Sequence, residues 1–352
     1  MKKLVSILCP SYNHEKYIKF FIDSLLAQTN PNWELIIVDD CSTDNNVAEI
    51  QKYNDKRIKL IKNPFNTGIN YTLNTAFEHS KGDIVVCGAS DDVFMNDFVE
   101  NILDAFEQNP DTDVIYSDLK VMNHNGVIQK NEIWKQPRCD KNTSLRRMFF
   151  CSNIMLSPSM ALRRDSFSKI YPLPIPLSQH QDYKMHIDVA LNLKTLVIDK
   201  ILIVYRKPSR TSGMSVHNSK TLRTRQLEEN IVMDSFLQIT DVAKLREIFG
   251  DDLLQRFGVL ENKFIPYYLG MLALDAKTEY KKLWGYNQVV KFITNPENYN
   301  LLYEKYGFCY KDFLDLADNF KKTTIEKKYK KYKNLFNFSI IVILVLLIVS
   351  IF

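Results

Sequence analysis

Between residues 4 and 87 the chain alternates four times between a short apolar run and an amphipathic helical stretch. The apolar runs fall at 4–9, 33–38, 58–61 and 84–87. Between them, Ile18, Phe21, Ile22 and Leu25 recur at helical spacing, then Val47 and Ile50, then Leu73, Ala76, Phe77 and Ser80. Period-2 and period-3.6 segments that trade places this quickly predict parallel strands joined by right-handed crossovers, the α/β class.

Two of the four runs stop in paired acids. Residues 33–38 lead into Asp39 and Asp40, and residues 84–87 lead through Gly88, Ala89 and Ser90 into Asp91 and Asp92. Ligands of an open α/β sheet sit outside the carboxyl ends of its strands. An acidic pair there suits a hard divalent cation, which takes oxygen ligands and shares them with phosphates. Aspartates ahead of a helix also serve as N-caps, so capping is the alternative for Asp91–Asp92 and for Asp40 and Asp44.

Further along, a helix from Asn96 carries Val99, Ile102, Leu103 and Phe106. A strand is expected at 113–118, a hairpin over 121–128 turning at Asn125-Gly126, and a strand at 160–162. Pro172, Pro174 and Pro176 stiffen a loop ahead of a helix running from His180 to about Asn192. Strands follow at 195–198 and 201–205, and after Lys220 the pattern is helical to Asp318. The domains expected are 1–218, in two parts at 1–118 and 119–218, and a helical region at 219–320.

The net charge of +5 is accounted for by the segment 321–333, with seven lysines against one glutamate. No basic face is left for nucleic acid. That polybasic segment runs into residues 335–352, eighteen nearly unbroken apolar positions, about 27 Å as a helix. The expectation is one terminal transmembrane helix. It places the protein in the inner (cytoplasmic) membrane as a single-pass protein, everything before the helix in the cytoplasm. The six cysteines have no framework spacing and read as reduced, buried thiols.

Four segments taken together resemble the family 2 glycosyltransferases, inverting enzymes of the GT-A fold, a Rossmann-like mixed sheet flanked by helices. They are Val5-Ser6-Ile7-Leu8-Cys9-Pro10-Ser11-Tyr12-Asn13, Ile36-Ile37-Val38-Asp39-Asp40-Cys41-Ser42-Thr43-Asp44, Asn66-Thr67-Gly68 and Ala89-Ser90-Asp91-Asp92. The resemblance implies a nucleotide-sugar donor, a UDP-sugar first, cradled by Pro10, Tyr12, Asn13 and Glu15. Asp39, with Asp40 as a weaker candidate, would accept from the base, and Asn66 to Gly68 would lie beside the ribose. It also implies Mg²⁺ or Mn²⁺ on Asp91 and Asp92, although Ala89 stands where many members have a further Asp.

For the general base the family spacing points to Asp182, with capping as its alternative and Asp188 as its rival. A cationic segment closing on the diphosphate would draw on Arg206, Arg210 or His217. His180 and His186 read as solvated or packed, not as a metal pair.

The function these residues imply is transfer of a sugar to a hydroxyl of a lipid-linked glycan in bacterial surface polysaccharide synthesis. A non-catalytic nucleotide-sugar-binding scaffold is the alternative that Ala89 keeps open. A nucleotidyltransferase is disfavoured, because 10–13 lacks a Gly-rich, basic triphosphate loop.

Overall fold

The computed structural model describes residues 3–208 and 218–320, and two compact units part between Leu269 and Gly270. The first unit opens with β1 (Val5–Ser11), α1 (Ile18–Leu26), β2 (Trp33–Asp39), α2 (Asn46–Ile50), β3 (Ile58–Lys62), α3 (Ile69–Glu78) and β4 (Ile84–Cys87). Next come β5 (Val93–Phe94), α4 (Phe98–Gln108), β6 (Val114–Met122), β7 (Ile128–Trp134), α5 (Lys141–Phe150), β8 (Ala161–Arg163) and α6 (Arg164–Ser168). It continues with α7 (Gln181–Asn192), β9 (Thr195–Arg206), α8 (Ser219–Met233), α9 (Val242–Phe249) and α10 (Asp251–Leu254).

Among the described residues nine strands form one sheet in the order β3-β2-β1-β4-β8-β6-β9-β5, with β7 beside β6. β1 through β4 pair in parallel, as the alternation predicts. β8 runs antiparallel between β4 and β6 and makes the sheet mixed.

Strand alternation divides the core into two layers. Val5, Ile7, Leu35, Ile37, Ile84 and Val86 face one way, onto Phe21, Ile22, Val99 and Phe106. Leu8, Ile36, Val38 and Val85 face the other, onto Leu73, Phe77, Phe167 and Val189. Strands covered on both faces have to read as unbroken apolar runs.

Three expectations need correction. Residues 195–198 and 201–205 are one strand, β9, because its parallel register with β6 skips from Val197 to Ile201, so that Asp199 and Lys200 bulge out of the pairing. The strand expected at 113–118 and the first arm of the hairpin are one strand, β6, while the hairpin turns where expected, between Met122 and Ile128 with Gly126 at φ 83°. The cysteines are free, but only Cys9 is buried.

The membrane placement is also overturned. Among the described residues no helix is long and apolar enough to cross a membrane, so a single-pass protein of the inner membrane is not supported. Residues 321–333 and 335–352, which carried that expectation, lie outside the described residues, as do Arg210 and His217.

The second unit begins within α11 (Ile265–Ala273) and continues as α12 (Glu279–Ile293), α13 (Pro296–Tyr306) and α14 (Tyr310–Asp315). Its helices approach closely where Gly270 meets Gly285: a Cβ at Gly285 would lie 2.5 Å from the Gly270 carbonyl oxygen. Only glycine permits backbones that near.

Candidate active site

The register gathers the strand ends. Ser11 ends β1 opposite Asp39 at the end of β2. β4 stops at Cys87, and beyond it Gly88 donates its main-chain N–H to the Leu8 carbonyl at 2.8 Å. Because β8 is antiparallel to β4, the turn Ser157–Ser159 ahead of β8 lies at that same carboxyl edge, where Val86 pairs with Ala161. Asp39, the Asp91–Asp92 turn and the segment holding Asp182 therefore share one edge of the sheet.

The loops after β1 and β2 are laced together. The Asn13 main-chain N–H donates to Ser42 Oγ at 2.9 Å, while its Oδ1 accepts from the Thr43 N–H at 2.7 Å. Glu15 Oε2 accepts from the Asn45 N–H, and Asp44 Oδ2 accepts from the Glu15 N–H. Asn13 and Cys41 take positive φ of 52° and 63°, strained values for residues other than glycine. Tyr12 stands out from this lattice, 44% exposed. Pro10 accepts at its carbonyl from Ser90 Oγ at 3.2 Å.

Asp39 and Asp40 are both buried and both engaged. Asp39 accepts from the Ser42 N–H at 2.9 Å and from Asn46 Nδ2 at 2.7 Å. Asp40 does not cap α2. Its Oδ1 accepts from the Thr67 N–H, Thr67 Oγ1 and Asn63 Nδ2, and its Oδ2 from the Gly68 N–H at 2.9 Å. Gly68 sits at φ 86°, ψ 163°, a conformation open essentially to glycine alone. Asn66, exposed, donates to the Asp40 carbonyl at 3.3 Å. Asp40 therefore fixes the loop that carries Asn66 and Gly68.

The acidic turn carries the unusual electrostatics. Asp92 is 2% exposed; its Oδ1 accepts from the Arg206 main-chain N–H at 2.8 Å, and its Oδ2 is buried with no partner. Burial, and then the charge of Asp91 beside it, hold the Asp92 carboxyl well above the usual carboxylate range. Neither aspartate caps α4, whose N-cap is Asp97. An orphaned carboxylate oxygen next to a second carboxylate fits a hard divalent cation. No group of three or more His, Cys, Asp and Glu side chains converges among the described residues, so phosphate and water oxygens would have to complete such a site.

Arg206 is buried at the end of β9. Its Nε donates to the Asp91 carbonyl at 2.8 Å, and its guanidinium stacks 4.9 Å above the Tyr17 ring. The side chain is thus a brace for the acidic turn, engaged within the protein.

Asp182 lies in the first turn of α7, whose N-cap is His180. Its Oδ2 accepts from Ser157 Oγ at 3.0 Å and from Asn153 Nδ2 at 3.3 Å. Asp188, the rival, forms an ion pair with Lys184 at 2.6 Å, one turn away on the same helix.

Sequence reasoning missed four contributors. His14 Nδ1 meets Ser90 Oγ at 2.6 Å. Asn46, fully buried, donates to both Ser11 and Asp39. His186 is packed, as expected, but also hydrogen-bonded on both ring nitrogens. Glu228 of α8 receives the N–H groups of Ser178, Gln179 and His180, each at 2.8 Å, and so pins the entry to α7. The only signal for any of them is a polar residue in or beside an otherwise apolar or loop segment.

A family model described as Glycosyl transferase family 2 matches residues 6–171. An uncharacterized glycosyltransferase of Methanocaldococcus jannaschii is 30% identical over 219 residues, 61% of this chain and 74% of that one. The chain belongs to glycosyl transferase family 2, a family of enzymes.

An uncharacterized glycosyltransferase of Haemophilus influenzae is 34% identical over 181 residues, 51% of this chain. The Escherichia coli UDP-Glc:alpha-D-GlcNAc-diphosphoundecaprenol beta-1,3-glucosyltransferase WfgD is 35% identical over 127 residues, 36% of this chain. The chain spans 60% of the first of these two and 50% of the second. Among solved structures, S. aureus TarS 1–349 in complex with UDP-GlcNAc superposes with a TM-score of 0.58 at 21% identity, over 87% of this chain and 93% of that one. The mannosyltransferase PcManGT of Pyrobaculum calidifontis, in complex with GDP-Man and Mn²⁺, gives 0.51 at 14% identity, over 90% and 86%. Both likenesses are of fold.

Proposed function

We propose that this family 2 member transfers a sugar, with inversion, from a nucleotide-sugar donor to a hydroxyl of a glycan acceptor in bacterial surface-glycan synthesis. The observation that carries this reading is the shared sheet edge: a half-exposed carboxylate, Asp182, at the edge that also bears Asp91 and Asp92. Asp182 takes the acceptor's proton as its oxygen bonds to the anomeric carbon and the bond to the leaving diphosphate breaks. Asp91 and Asp92 would hold Mg²⁺ or Mn²⁺, which supplies Lewis-acid neutralisation of the leaving phosphates.

The laced loops bearing Pro10, Tyr12, Asn13 and Glu15, with Asp39, would seat the nucleoside, and Asp40 would act by holding Asn66 and Gly68. Two of the similar proteins favour a UDP-sugar donor, TarS in its complex with UDP-GlcNAc and the UDP-Glc-dependent WfgD, and the diphosphoundecaprenol acceptor of WfgD also favours a lipid-diphosphate-linked acceptor. Ala89, in place of a third carboxylate, favours a second reading, a donor-binding scaffold without turnover.

One experiment separates the two. Purified protein is incubated with UDP-, GDP- and dTDP-sugars, with Mn²⁺ or with EDTA, and nucleoside diphosphate release is measured. Release that needs metal and disappears in Asp91→Ala and Asp182→Asn supports transfer. Donor binding without release supports the scaffold, and metal-independent release removes the roles of Asp91 and Asp92.

A further inference from the structure

Behind Asp182 the hydrogen bonds continue inward. Ser157 Oγ lies 3.0 Å from Asp182 Oδ2 and 3.0 Å from His186 Nε2. His186 Nδ1 lies 3.0 Å from the Tyr116 hydroxyl. Tyr116 and His186 are each 1% exposed, Tyr116 on β6 and His186 one helical turn beyond Asp182 on α7.

The direction of the bonds at Ser157 follows from proton counting. An ionised carboxylate only accepts, so the single Ser157 proton points to Asp182. Ser157 Oγ must then accept from His186, which places the imidazole proton on Nε2 and leaves Nδ1 to accept from the Tyr116 hydroxyl. With its proton turned to Met160 Sδ, 3.3 Å away, the Tyr116 oxygen would accept from a charged imidazolium, so its donation to Nδ1 belongs to the neutral imidazole. Burial agrees, holding the His186 pKa down to about 4 against the pull of Asp182. Asp182 and Tyr116 are the ionisable groups that face it. The arrangement is not a nucleophile triad, because the serine proton is held by the aspartate and not by the histidine.

We infer that Ser157 and His186 are positioning residues: with Tyr116 they form a one-way donor chain that aims the Asp182 carboxylate. This rests on the reading of Asp182 as general base. Ser157 and Asn153 both donate to Oδ2 and hold that oxygen in place. Oδ1 receives only the Tyr183 N–H, at 2.7 Å, which leaves that oxygen free to take the acceptor's proton. Aligned donors in a dry pocket polarise one another, so loss of an inner link is felt at the carboxylate.

The test compares Ser157→Ala, His186→Leu, His186→Gln and Asp182→Asn in donor turnover with saturating metal, with thermal melts confirming folding. Ser157→Ala should lower kcat about ten-fold and leave donor KM within about two-fold of wild type. His186→Leu should follow in the same direction, and His186→Gln, which keeps a donor toward Ser157, should recover part of the loss. The inference is overturned if Asp182→Asn is inactive while folded Ser157→Ala and His186→Leu keep wild-type kcat, or if they raise donor KM as much as they lower kcat. An active Asp182→Asn sinks the base assignment, and with it the purpose of the chain. If His186→Leu does not fold, Ser157→Ala, at a half-exposed position, decides alone.

Discussion

The main-chain N–H of Arg206 reaches Oδ1 of Asp92 at 2.8 Å, across 114 residues of sequence, and ties the end of β9 to the acidic turn after β4. The Arg206 side chain completes the clasp through the Asp91 carbonyl. Groups that orient prospective ligands commonly govern metal affinity by 10- to 100-fold. Arg206→Gln should therefore raise the Mn²⁺ concentration for half-maximal diphosphate release about ten-fold. A variant with unchanged metal dependence and merely a lower melting temperature would show that Arg206 only braces the fold.

Asp40 accepts four hydrogen bonds from Asn63, Thr67 and Gly68. Asp40→Asn converts one accepting oxygen into a donor that faces another donor. The expected cost is about 1–3 kcal/mol in urea denaturation, with a raised donor KM. A raised KM at wild-type stability would instead make Asp40 a direct donor ligand.

Glu228 gathers the N–H groups of Ser178, Gln179 and His180 ahead of α7. Glu228→Gln leaves at least one of them facing an amide NH₂ and frees the segment that leads to Asp182. Lower kcat at constant donor KM is the expected pattern, measured by initial rates. An equal rise in KM would contradict a purely acceptor-side role.

His186 carries a pH signature of its own. Unfolded, it titrates at its ordinary value near 6.5; folded, it stays neutral down to about 4. The unfolded chain binds the extra proton first, so the folded state loses stability as pH falls from 6.5 towards 4, by up to about 3 kcal/mol. In urea melts at pH 7.5 and pH 4.5, His186→Gln should lose less stability on acidification than wild type. Equal losses would place the acid sensitivity elsewhere.

How much of this was legible from the residues alone varied with range. The strand Ile84–Cys87 and the helix from Gln181 to Asn192 follow from local periodicity and emerge as expected. β9 did not, because Asp199 and Lys200 interrupt an apolar run that a bulge in the pairing carries through. The acids at strand ends were conspicuous, yet which of them hold a loop was not. Asp40 meets partners up to 28 residues away and Glu228 up to 50, distances that no local pattern spans. His186 was hidden differently: a buried histidine looks the same in sequence whether it merely packs or also hydrogen-bonds at both nitrogens.

The antiparallel placement of β8 has a consequence for biogenesis. As the chain leaves the ribosome, β4 and β6 emerge long before the strand that belongs between them, and each offers an open edge to any extended segment nearby. Truncated chains that stop short of Arg163 would leave that seam unsealed, and those that stop between Arg163 and Arg206 would lack all or part of the strand beside β6. Truncations in search of a minimal enzyme should therefore aggregate until both strands are restored.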